Sequence, residues 1–225
     1  MIDTVFSLPQ SFHVLIVDDG SPDGTGDLVR QEMQKYPDQL HLLERSGKLG
    51  LGTAYIAGFR WGLQHDYEYF FEMDADFSHN PQDLMRLYEA CHVQGGDVAV
   101  GSRYTKGGQL ENWPYNRVLL SYGASLYVRT VTFMPVKDPT AGFICYRRRV
   151  LEKLDLDKIT FKGYAFQIEM KFAARQLGFT IIEVPITFTD RKFGTSKMSK
   201  TIVSEAILGV LQMRLRAFNY TYGKE

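Results

Sequence analysis

Asp74 and Asp76 are the residues of this sequence whose type and spacing most directly suggest chemistry. They follow the run Glu68-Tyr69-Phe70-Phe71-Glu72-Met73. Alternate residues of an extended chain share a face, so the two carboxylates lie roughly 6–7 Å apart on one side. Such a pair suits a hard divalent cation, Mg²⁺ or Mn²⁺, whose remaining ligands are water and substrate phosphates. The plainer reading is two acids solvating a strand end. Their place between an apolar strand and Phe77-Ser78-His79-Asn80-Pro81 weighs against it. Asp18 and Asp19 close a second apolar run, where a carboxylate is costly to bury unless a ligand or a backbone amide satisfies it. A nucleotide contact and an Asx-type turn both meet that need. The loop Gly47-Lys48-Leu49-Gly50-Leu51-Gly52-Thr53 sets glycines and a lysine before a helix. Either its amides and cation meet phosphate oxygens, or the glycines simply turn the chain into the helix. No Gly-Lys-Ser/Thr closes it, so it is not a Walker-type loop.

The elements that must position these residues alternate. Phe12–Val17, Leu40–Glu44, Tyr67–Met73 and Val98–Ser102 read as strands, and Thr25–Tyr36, Thr53–Gln64 and Pro81–Gln94 as helices. Asn80 is placed to cap the third helix, with Pro81 at its first position. Strands separated by helices imply an α/β fold, a mostly parallel central sheet flanked by helices. Ligands of such sheets sit at the carboxyl ends of the strands, where these loops fall.

With 26 basic and 26 acidic residues there is no global charge to draw the chain onto nucleic acid. The two cysteines, Cys91 and Cys145, lack metal-ligand spacing and imply a reducing, intracellular setting rather than a disulfide scaffold. No stretch reaches the roughly 18 apolar residues of a membrane span, and no secretory signal opens the chain. No internal repeat or linker is visible, so one large domain is expected over residues 1–200. In residues 201–225, Ile202, Val203, Ala206, Ile207, Val210 and Leu211 recur at spacings of three and four. This amphipathic helix either lies in a lipid interface or packs on the domain core.

Seven segments stand in the order found in polyprenol-phosphate mannose synthases of glycosyltransferase family 2, which this chain resembles over about residues 12 to 200. They are Val17–Thr25, Lys48–Tyr55, Met73–His79, Gly101–Tyr104, Asp138–Phe143, Gly163–Met170 and Asp190–Lys197. The resemblance implies a GT-A fold and transfer of mannose from GDP-mannose to a polyprenyl (dolichyl-type) phosphate, with inversion. It implies that Asp19 contacts the nucleotide base with Asp18 nearby, and that Asp74 and Asp76 organise the metal and the donor diphosphate. Ser78 stands where some relatives carry a metal-contacting Gln. Arg103, Arg117, Arg191 and Lys197 match basic positions that gather phosphates, the arginines in part for the lipid acceptor, while Lys48 is a phosphate candidate from the glycine loop alone. Guanidinium groups suit that task because they grip phosphate with two parallel hydrogen bonds and stay charged. A solvated surface role is the alternative for each. The acceptor being a lipid, the resemblance also implies a peripheral protein at the cytoplasmic face of a membrane, held by the last helix, a membrane-anchoring subunit or the lipid itself.

The start departs from the pattern. Relatives open with an apolar strand and a nucleotide-floor segment, whereas Met1-Ile2-Asp3-Thr4-Val5-Phe6 resembles only the end of the following helix. The expectation is an amino-terminally truncated chain lacking the first strand of the sheet. Two rivals remain: a family 2 enzyme using another sugar, such as UDP-glucose, or a saccharide acceptor, and a nucleotide-sugar-binding protein without catalysis.

Overall fold

The computed structural model describes residues 1–190, 200–217 and 220–224, with the side chains of 200–206 outside the description. The elements run α1 (Ile2–Phe6), β1 (Val14–Asp18), α2 (Thr25–Met33), β2 (Leu40–Glu44), α3 (Leu51–Leu63), β3 (Tyr69–Glu72), α4 (Asp83–His92) and β4 (Val98–Ser102). They continue with β5 (Gln109–Glu111), α5 (Tyr115–Thr132), β6 (Ile144–Arg147), α6 (Arg148–Lys153), α7 (Ala165–Gln176), β7 (Ile181–Pro185), β8 (Thr187–Thr189) and α8 (Lys200–Arg216). Two of the four expected strands, Leu40–Glu44 and Val98–Ser102, have the bounds read from the sequence. β1 starts at Val14 because Phe12 instead packs edge-on against Phe71, their rings 5.5 Å apart. The third helix starts at Asp83, after an Asx turn in which Asn80 Oδ1 accepts the Gln82 N–H.

The central sheet has the order β3-β6-β4-β7. β4 and β7 are parallel, while β6 runs antiparallel between β3 and β4. The parallel pairs β1–β2 and β5–β8 form separate two-stranded sheets. Every residue of β4 is buried, as a strand covered on both faces requires. Its alternation sorts the core into two layers. Val98 and Val100 join Ile144, Tyr146, Phe166 and Met170 on the α3 and α7 side, and Ala99 joins Leu84, Leu87, Cys91 and Cys145 on the α4 side. Both cysteines are buried free thiols.

One stripe of the last helix follows the core-packing reading of its periodicity. Val210 and Met213 are buried, and a Cβ on Gly209 would lie 2.6 Å from the Phe161 ring, so one stripe packs on the core. Ile207, Leu208, Leu211 and Leu215 face outward, beside the exposed Leu119, Leu120, Tyr122 and Leu126 of α5. The two helices are joined where the Tyr127 hydroxyl donates to the Ile207 carbonyl at 2.9 Å. Among the described residues no helix is long and apolar enough to cross a membrane.

Candidate active site

The carboxyl end of β3 delivers the acids. Asp74 is exposed and Asp76 half-buried, and the chain turns sharply after them because Phe77 takes a φ of 61°, a left-handed conformation that costs a residue with a Cβ roughly 1–2 kcal/mol. Asp76 Oδ1 holds the turn by accepting the Ser78 N–H at 3.0 Å. Ser78 is buried, and its carbonyl accepts the Thr189 N–H of β8 at 3.1 Å, which docks the loop. Tyr55 of α3 faces the acids. Burial first, then the charges of Glu72 and Asp74, push its phenol well above the usual range. Among the described residues no group of three His, Cys, Asp or Glu side chains can hold a metal. Asp74 and Asp76 both act on the Tyr55 phenol, so a cation beside them would draw on these two carboxylates and complete its shell with water and phosphate oxygens.

Around β1 the turn reading of Asp18 is realised. Its Oδ2 accepts the Ser21 N–H at 3.1 Å, and hydrogen bonds from Ser21 hold its carboxyl below the usual range. Asp19 is engaged by Arg45, whose Nε lies 2.6 Å from Oδ1. Arg45 Nη1 reaches the Thr53 hydroxyl at 2.8 Å, so one guanidinium ties the ends of β1 and β2 to the start of α3. Arg45 was not singled out from the sequence, and a cation directly after an apolar strand was the available signal. Lys48 is exposed, with Asp23 feeling its charge.

The glycine loop serves close packing. The Gly52 N–H donates to the Lys162 carbonyl at 2.9 Å, and a Cβ on Gly52 would lie 2.6 Å from the Phe166 ring and 2.7 Å from the Phe161 carbonyl. Overpacking against backbone cannot relax cheaply. Gly52→Ala is therefore expected to lose about 1–3 kcal/mol of stability in urea titration.

The arginines gather on the other side of the acid loop, around β5 and β8. Arg103 directs Nε and Nη2 at the two oxygens of Asp138, each 2.7 Å away, and Nη2 also donates to Thr140 Oγ1 at 2.8 Å. This modifies the sequence expectation. Most of the Arg103 fork is bound to a fully buried carboxylate, and among the described residues only Nη1 is left without a hydrogen bond. Burial drives the Asp138 carboxyl up, but the Arg103 charge and hydrogen bonds outweigh it and hold the group below its usual range. Arg117, on the first turn of α5, donates to Asp190 Oδ2 at 2.8 Å and stacks 3.8 Å over Trp113. Trp113 lies between the two arginines, 5.7 Å from Arg103. Because Asp190 follows the strand that docks Ser78, the acids and Arg117 are mechanically joined. Arg191 and Lys197 lie outside the described residues.

His79 was also missed by the sequence reading. It is buried, stacked 4.9 Å from Phe143, and its Nδ1 has no hydrogen-bond partner among the described residues. It lines a cleft of about 340 Å³ together with Phe77, Asn80, Glu111 and Thr189. Burial first, and then Arg103, lower its pKa to about 4 from an ordinary 6.5. The neutral imidazole is thus the folded form, so stability is full above pH 6.5 and falls as the pH drops toward 4. The loss is on the order of 3 kcal/mol. Urea titrations of metal-free protein across that window should show a flatter pH slope for His79→Gln than for the unsubstituted chain.

Paired acids thus stand just past a strand end, with arginines and aromatic rings beyond them. Comparison with known proteins sharpens this. The glycosyl transferase family 2 model matches residues 1–155. Polyprenol monophosphomannose synthase of Mycolicibacterium smegmatis is 48% identical over 204 residues, 91% of this chain and 77% of that protein. Undecaprenyl-phosphate mannosyltransferase of Micrococcus luteus is 48% identical over 211 residues, 94% of this chain and 85% of that protein. Among solved structures, glucosyl-3-phosphoglycerate synthase from Mycobacterium tuberculosis in complex with phosphoglyceric acid superposes with a TM-score of 0.59 at 16% identity, covering 91% of this chain and 68% of the other. The same enzyme with Mn²⁺, uridine diphosphate and glucosyl-3-phosphoglycerate gives 0.58, covering 90% and 68%. The chain belongs to glycosyl transferase family 2. It is a glycosyltransferase with the GT-A fold.

Proposed function

We propose that the protein transfers mannose from GDP-mannose to a polyprenyl monophosphate, giving a β-linked polyprenyl-phosphate mannose with inversion. The observation that carries this reading is the near full-length likeness, at 48% identity, to two enzymes named for mannosyl transfer onto polyprenyl phosphates. Asp74 and Asp76, with Ser78 beside them, would hold Mg²⁺ or Mn²⁺, which when bound neutralises charge on the departing diphosphate. Asp18, which ends β1, and Asp19 after it would lie beside the nucleotide. An oxygen of the acceptor phosphate attacks the anomeric carbon as the bond from that carbon to the diphosphate oxygen breaks. The acceptor phosphate is largely dianionic at neutral pH, so no strong base is needed and positioning dominates. Arg103, through its Nη1, and Arg117 and Arg191 would serve that phosphate in part, and Lys197 and Lys48 would be further cations for the phosphate groups.

The lipid acceptor places the protein at a membrane surface, peripheral at its cytoplasmic face, either by its own helices or through an anchoring subunit. The outward leucines of α5 and α8 support the first route, since apolar stripes on neighbouring helices bury well in a lipid interface. The test is incubation of purified protein with GDP-mannose, Mg²⁺ or Mn²⁺ and a polyprenyl phosphate, with UDP-glucose and a saccharide acceptor in parallel arms. Lipid-linked mannose is expected. Its absence under every condition would refute the reading, and donor binding without turnover would select a non-catalytic binder.

A further inference from the structure

The turn between α5 and β6 has no regular ladder, yet three charged side chains, two from elements and one from the residue after β4, hold it. Glu183 of β7 accepts the N–H groups of Lys137 and Asp138, both at 2.9 Å. Arg103, directly after β4, grips Asp138 and Thr140. Lys171 of α7 donates from Nζ to the Ala141 carbonyl at 2.7 Å and to the Gln167 carbonyl at 2.8 Å. One turn earlier on α7, Gln167 Nε2 donates to Glu72 Oε2 at 2.6 Å. Glu72 ends β3, two residues before Asp74. A continuous polar line therefore runs from the strand of the acids through Glu72, Gln167, Lys171 and Ala141 to Asp138 and Arg103.

All four side chains in the middle of this line, Glu72, Gln167, Lys171 and Asp138, are at most 4% exposed. An ammonium in such a place is unfavourable for stability alone, because an apolar residue of similar volume fills the space without desolvating a charge. α7 also buries the apolar Phe166, Ile168, Met170 and Phe172, and its other buried charged group, Glu169, is held by the N–H groups of Thr160 and Phe161. Burial drives the Lys171 amine down from its ordinary range, with the Glu72 and Asp138 carboxylates opposing the shift. The lysine reaches the turn directly and, through Gln167, the end of β3.

We infer that Lys171 is a positioning residue: it fixes the Asp138–Ala141 turn, and with it the Arg103 guanidinium, at a set distance from the strand that carries Asp74 and Asp76. This rests on the mannosyl-transfer reading for its kinetic consequence but not for its structural one. Two measurements on Lys171→Met test it, with Met170→Ala as the control, a neighbouring buried side chain that makes none of these polar contacts. Amide hydrogen exchange in peptides spanning 137–141 is expected to quicken at least tenfold in Lys171→Met and to stay near the unsubstituted rate in Met170→Ala. The KM for polyprenyl phosphate is expected to rise at least tenfold in Lys171→Met, with the KM for GDP-mannose within threefold, while Met170→Ala loses stability without that split. Equal exchange at 137–141 in both variants, or an unchanged acceptor KM, overturns the inference. Should Lys171→Met not fold, Lys171→Gln takes its place, since its shorter amide cannot satisfy both carbonyls. A rise of about threefold in acceptor KM is then expected, and wild-type exchange and KM would overturn the inference. If the unsubstituted protein makes no lipid-linked mannose, the functional reading fails while the exchange result still decides the structural claim.

Discussion

Asp76→Asn should lower kcat for mannosyl transfer by about 10²–10³-fold, equivalent to roughly 3–4 kcal/mol of transition-state stabilisation. The substitution keeps the shape of the side chain and its acceptor for the Ser78 N–H, so the turn at Phe77 survives. What it removes is the negative charge that, on the proposed mechanism, would hold a cation against the leaving diphosphate. Asp74→Asn should behave alike, although Asp74 is more exposed and its loss is felt more in metal affinity. The measurements are initial rates at saturating Mn²⁺ and a Mn²⁺ titration by electron paramagnetic resonance. A loss under tenfold for Asp76→Asn, with wild-type Mn²⁺ binding, would remove these acids from the mechanism.

The second large effect is on folding. Asp138→Asn is expected to cost about 3–5 kcal/mol, because it strands the Arg103 charge without its counter-ion in a site where the arginine side chain is 10% exposed and the aspartate fully buried. Urea denaturation at neutral pH reads the loss directly. The same pair sets an acid limit. The folded carboxyl is held below its ordinary value, so its contribution is complete at neutral pH and fades as the pH falls through that lowered pKa. The asparagine variant should lack this acid-dependent component.

The local parts of the fold were legible in the sequence. β2 and β4 are short apolar runs between turn residues, and a period of two or a continuous apolar stretch identifies such strands without further information. β6 was not seen. Its four residues, Ile144–Arg147, follow an irregular turn and run antiparallel inside an otherwise α/β succession, so nothing in their own spacing sets them apart from a loop. The site divides in the same way. Asp74 and Asp76 were readable as a pair of acids just past an apolar strand, but β3 stops at Glu72 and the chain turns at Phe77, so a turn and not strand alternation sets their spacing. The partnerships Arg45–Asp19, Arg103–Asp138 and Gln167–Glu72 join residues 26, 35 and 95 positions apart, and only the folded topology brings them together. That is also why Arg103 read as an open phosphate grip, when most of its donors meet a carboxylate that the sequence places on a distant segment.

The stacking of Arg117 on Trp113 gives the molecule an optical handle. The chain has two tryptophans, and the other, Trp61, is clustered with His41 and His65, 4.8 and 4.1 Å between ring centres. With Trp61 replaced by Phe, the remaining indole fluoresces from between two guanidinium groups. Its emission colour and intensity would then report, in real time and without any radiolabel, whenever an anion draws those cations away from the ring.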